Sequence, residues 1–196
     1  MPRALTEQEK CLQCQKLLDK GKAVVLSQGI KKISVDEIAK AAGMAKGSFY
    51  QYFESKEQFL FKLIETMHRQ IFAQVEQMLR SISDFQANAR NFFMSLFNMP
   101  EMAFFIQNEQ DISDLFFTAM PNQELQSFKQ MEAGMFEKML LLAGVDLGKA
   151  NPGVVHNYVH ILYLSMGSDL MMKDYLPETI DLILDSLLSY IFGGTE

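Results

Sequence analysis

Cysteine is scarce in this chain, and long apolar runs are missing altogether. Cys11 and Cys14 are the only two thiols. Their CxxC spacing lacks the second ligand pair that a structural zinc requires, and a thioredoxin-like centre needs a βαβ setting that is absent here. They are read as passive thiols near the start of a helix, with redox sensing as the alternative. No stretch reaches the roughly 18 apolar residues of a spanning helix. The first ten residues, MPRALTEQEK, show no apolar signal region. A cytoplasmic protein with reduced thiols and no membrane partner is expected.

Catalytic signatures are missing too. There is no nucleophile elbow, phosphate loop or dinucleotide fingerprint, so no catalytic residue is assigned, no cofactor is implied and an enzyme is not expected. His156 and His160 stand four apart, but no HExxH context accompanies them. Packing or ligand hydrogen bonding is preferred there, and no metal site is assigned. His68 has no partner near it in sequence. Period-two alternation is also absent, which leaves an all-α chain. Neither an internal repeat nor a low-complexity linker interrupts it.

What is present is unevenly spread. The 196 residues are 48% hydrophobic and 21% charged, enough for a packed core. The formal charge is -6, yet residues 1–60 hold ten Lys/Arg against seven Asp/Glu, a net of +3. The remainder holds eight against seventeen, a net of -9. Thirteen of the 16 Phe and twelve of the 14 Met also follow residue 60. A basic head thus precedes an acidic, Phe/Met-rich body, and the whole-chain charge conceals a local positive face.

Helical spacing and caps divide the chain further. A first helix is predicted over 6–27, weakened by Gly21 and closed near Gly29. Ser34 opens the capping box SVDE and a helix over 35–41. Gly43 supplies a corner, and a helix over 46–52 follows. Ser55 opens a second box, SKEQ, and a long helix to about residue 80. The body reads as helices over 84–98, 101–108, 111–120, 122–143, 152–172 and 177–192. Pro100, Pro121, Pro152 and Pro177 sit at helix starts, where a missing N–H is tolerated.

The second helix, the glycine corner and the third helix make a helix-turn-helix over about 34–53, a unit that lays its second helix in the DNA major groove. From Leu17 to Leu60 the chain resembles the DNA-binding domain of TetR-family transcriptional regulators. Leu17-Leu18-Asp19, Gly29 and the run SVDEIAKAAGMAKGSFYQYFESKEQF carry the likeness. The resemblance implies a DNA-binding head over 1–54 and a helical effector-binding and dimerisation body over 55–196. It implies a phosphate contact for Ser34 at a helix N-terminus and a phosphate or guanine contact for Lys46. Gly47 lets the backbone approach DNA, Ser48 and Gln51 read bases, and Tyr50, Tyr52 and Lys56 clamp the sugar-phosphate backbone. Two positions depart from the family pattern. Ala45 replaces the usual Ser/Thr cap of the recognition helix, and Tyr52 replaces a frequent His.

In the body, the Phe/Met density suits a cavity for ligands of varied shape. The expected lining is drawn from Phe92, Phe93, Phe97, Phe104, Phe105, Phe116, Phe117, Met131 and Met135. The last two helices are apolar over more than one face, which calls for a second copy. Val155, Tyr158, Val159, Leu162, Ile180, Ile183, Leu184, Leu187 and Ile191 are the expected dimer contacts. A two-fold four-helix interface is also what the resemblance implies. The resulting expectation is a homodimeric repressor, released from a palindromic operator by a small apolar or aromatic effector. The alternative is a helical carrier of hydrophobic ligands that binds no specific DNA.

Overall fold

The computed structural model describes residues 6–193, and every regular element within that range is helical. The chain divides into two compact units. One comprises Met1–His68 and Asn108–Leu125, the other Arg69–Gln107 and Gln126–Glu196.

The first unit contains α1 (Glu7–Gln28), α2 (Val35–Ala41), α3 (Lys46–Phe49), the first half of α4 (Lys56–Ser81) and α7 (Glu109–Ala119). Thr6 caps α1 in a reciprocal box with Glu9, and Ser34 does the same for α2 with Glu37. The box at Ser55 closes differently from expectation. The Ser55 hydroxyl accepts from the Gln58 N–H at 3.1 Å, but the Gln58 side chain reaches back to the Glu54 N–H at 2.7 Å, one residue early. Leu17, Val25, Ile38, Phe49, Phe59, Leu63 and Met67 are buried in its core. Phe49, Phe53 and Phe59 meet within it, with ring centres 5.1–5.6 Å apart. Gly21 has a packing reason to be glycine: a Cβ there would lie 2.4 Å from the tip of Phe59. Gly43 turns the corner between α2 and α3 at φ 68°, where a side chain would be strained.

The second unit contains the latter half of α4, α5 (Phe85–Phe97), α6 (Pro100–Gln107), nearly all of α8 (Asn122–Leu142), α9 (Pro152–Gly167) and α10 (Leu176–Phe192). Phe85, Phe92, Phe93 and Phe97 pack as a chain of edge and stacked contacts, and Phe85 also meets Phe192. Arg90 of α5 pairs with both Asp181 and Asp185, one turn apart on α10. Glu76 of α4 accepts from Arg80 and from Lys138 of α8, at 2.7 Å each. Those two cations hold the Glu76 carboxyl below the usual range.

Two helices end earlier than their spacing suggests. The segment expected to be helical over 46–52 is α-helical only over Lys46–Phe49, then continues as tight turns in which Gln51 donates to Ser48 and Tyr52 to Phe49. The ninth helix stops at Gly167 instead of residue 172, because Ser168 takes an extended conformation. Its carbonyl accepts from Lys173 at 2.6 Å, and a single 3-10 turn (Lys173–Tyr175) leads into α10.

Candidate nucleic-acid interface

A helix enters the major groove only if its reading side chains are exposed while its other face is anchored. In α3 the anchor is Phe49, fully buried, with Phe53 behind it. Around that anchor Lys46, Gly47, Tyr50 and Gln51 are exposed, and Ser48 and Tyr52 are half-buried. Tyr50 stands edge-on against Phe49 at 5.4 Å, which fixes its ring while leaving it half exposed. A Cβ added at Gly47 would meet nothing within 4 Å, so no intramolecular contact demands glycine there. Ala45 makes no capping hydrogen bond, as its side chain dictates.

Ser34 and Lys56 are both hydrogen-bonded within the first unit. The Ser34 hydroxyl donates to the Glu37 carboxylate at 2.7 Å and accepts the Glu37 N–H at 3.3 Å. Hydrogen bonding from the Ser34 side chain, and then from its backbone, holds the Glu37 carboxyl below its ordinary range. Lys56 donates to the Ile33 carbonyl at 3.2 Å, tying the first residue of α4 to the chain just before α2. One of the three ammonium donors is thereby occupied. Sequence spacing held no signal for that bond, because its partners are 23 residues apart. The same unit brings α7 onto the loop after α1. Asp111 pairs with Lys31 at 2.5 Å, and the Asn108 side chain lies close against Gly29.

The other predicted residues lie as follows. Phe92, Phe93, Phe97, Phe104 and Phe105 are buried in the second unit, where Met131 and Met135 are half-buried. Phe116 and Phe117 belong to the first unit. Phe116 faces Phe61 at 5.6 Å, and Phe117 is 72% exposed. A cleft of about 200 Å³ opens beside the end of α4 and along α5, lined by Met78, Ser81, Ile82, Asn88, Asn91, Phe92 and Ser95. Of the nine predicted lining residues only Phe92 reaches it, and its amides and hydroxyls carry no recognisable spacing. Of the nine dimer positions, Val155, Leu162, Ile180, Leu184, Leu187 and Ile191 are buried within the chain itself, and Tyr158, Val159 and Ile183 are half-buried. The apolar side chains left open on these helices are Val154, Ile161 and Leu164 on α9 and Leu182 and Tyr190 on α10.

A short, anchored helix with an exposed Lys/Tyr/Gln face, mounted in an all-α chain, defines a helix-turn-helix protein. Residues 17–63 match the family described as bacterial regulatory proteins, tetR family. Over that segment the chain is similar to the DNA-binding domain of this family of transcriptional regulators. Over 45 residues the chain is 49% identical to the HTH-type transcriptional repressor DhaR of Mycobacterium sp. (strain GP1), covering 23% of each protein. It is 45% identical over 51 residues to the transcriptional regulator AcuR of Cereibacter sphaeroides, covering 26% of this chain and 23% of that one. These alignments span only 23–37% of the length of the curated relatives matched. The fold extends further. A TetR-family transcriptional regulator from Pectobacterium atrosepticum superposes with a TM-score of 0.71 at 16% identity, covering 98% of this chain and all of that one. Among the described residues no helix is long and apolar enough to cross a membrane.

Proposed function

We propose that this chain is a cytoplasmic, ligand-responsive transcriptional repressor that binds a palindromic operator as a homodimer. Its head (1–54) reads DNA, and its body (55–196) binds the effector and the second copy. One observation carries the reading: α3 is anchored by a buried Phe49 while Lys46, Tyr50 and Gln51 stay exposed. In the proposed complex Lys46 meets a phosphate or a guanine edge, and Ser48 and Gln51 reach bases. Ser34, Tyr50, Tyr52 and Lys56 set the register on the backbone. The open Gly47 surface admits a close approach. Repression is the role of DhaR, to which this chain is similar over 45 residues.

The effector is a small apolar or aromatic molecule held among the Phe and Met side chains of the body. It binds better when α4 is displaced, which changes the separation of the paired recognition helices and lowers operator affinity. Linkage then requires operator DNA to weaken effector binding by the same factor. The test is binding to a palindromic site from the protein's own upstream region against scrambled DNA of equal length. A preference of roughly 10³-fold or more is expected. Equal affinity for the two duplexes would reject the repressor in favour of the carrier reading.

A further inference from the structure

We propose that His156 and His160 form a binding site for a late first-row divalent metal ion such as zinc, on the open face of α9. The inference does not depend on the DNA-binding reading. Residues four apart on an α-helix stand one above the other, close enough for both side chains to reach a common ligand. Here the two ring centres are 6.0 Å apart, and the rings lie stacked, 12° from parallel, so both must turn to aim a nitrogen at one ion. Two imidazoles sharing one tetrahedral ion at metal–nitrogen distances of about 2.0–2.1 Å have ring centres roughly 5 Å apart. The centres must therefore close by about one ångström, together with a rotation of both rings about their side-chain bonds.

Both histidines are exposed, so core packing does not account for them. The pair is bracketed at each end by another ring. Phe136 of α8 meets His156 edge-on at 5.3 Å, and Tyr163 stacks on His160 at 5.6 Å. Donor chemistry selects the ion: neutral imidazole suits zinc, nickel and copper, whereas magnesium and calcium take oxygen ligands. Among the described residues no group of three or more His, Cys, Asp or Glu side chains is placed to hold an ion. The remaining positions therefore fall to water or to the same pair on a second copy.

The experiment uses the untagged full chain, stripped with chelator and titrated with Zn²⁺ by calorimetry. Cu²⁺ electron paramagnetic resonance reads the ligand atoms. Variants are His160→Gln, His156→Gln/His160→Gln and Cys11→Ser/Cys14→Ser, the last because thiols also bind zinc. A saturable isotherm is expected, with nitrogen hyperfine structure in the copper spectrum. It should weaken at least about tenfold in His160→Gln, vanish in the double histidine variant, and persist in the cysteine variant. One ion per chain or one per pair of chains both support the site. Absence of binding by the parent chain would overturn the proposal. So would binding that survives loss of both histidines but disappears with the cysteines. Unchanged thermal melting of the histidine variants checks that the fold is intact.

Discussion

At the scale of single residues, Gly21 illustrates how local propensity and packing can oppose each other. Glycine inside a helix costs about 1 kcal/mol relative to alanine, so α1 taken alone would gain from Gly21→Ala. In the folded head a methyl group there would sit 2.4 Å from the Phe59 ring, which is itself fully buried among Phe49 and Phe53. Overpacking of this kind typically costs about 1–3 kcal/mol. Gly21→Ala should therefore lower stability in urea denaturation by about 1 kcal/mol or more, and adding Phe59→Leu should recover part of the loss. A stabilised single variant would show that the ring moves aside freely. The sequence marks Gly21 as a weak point in a helix, but not its reason, because the ring it accommodates comes from α4. Lys56 is comparable. Its proposed DNA contact comes from the family resemblance, while its bond to the Ile33 carbonyl depends on a chain path that only folding defines.

At the scale of elements, the caps made the head readable. Ser34 with Glu37 fixes the start of α2, Gly43 its end, and the structure follows both. Where the sequence carried no marked stop, periodicity overran. The uncapped α3 gives way to tight turns after Phe49, and α9 ends at Gly167 although apolar spacing persists to Met172. These two residue types in α3 separate stability from recognition. Lys46→Ala removes one exposed cation and should weaken DNA binding while reducing the slope of log affinity against log salt by about one. Gly47→Ala adds a methyl group that meets nothing in the free protein. It should leave the protein as stable or up to about 1 kcal/mol more so, yet weaken operator binding with little change in salt slope. Melting curves and fluorescence anisotropy at several salt concentrations measure both. If Gly47→Ala bound operator as tightly as the parent, the close approach assigned to that position would be wrong.

At the scale of the whole molecule, apolar pattern told how many faces of α9 and α10 are greasy, but not which arc turns inward. A helix apolar on most of its circumference gives nearly the same signal for every rotation about its axis. The core takes Val155, Leu162, Ile180, Leu184 and Leu187. Ile161, 53% exposed, and Leu182, 64% exposed, are left outside, with Val154 and Leu164 nearby. If these open side chains seat the second copy, a charge placed among them should split the dimer without harming the protomer. Ile161→Asp is therefore expected to sediment as a monomer at concentrations where the parent is a dimer, with unchanged helical circular dichroism. Its operator affinity should fall steeply, because a single head occupies one half-site and forfeits the gain from linked binding. Leu184→Asp provides the contrast. A carboxylate at that fully buried position would be charged without a partner and should unfold the chain. An Ile161→Asp protein that remained dimeric would move the interface away from this face, whatever the head proved to bind.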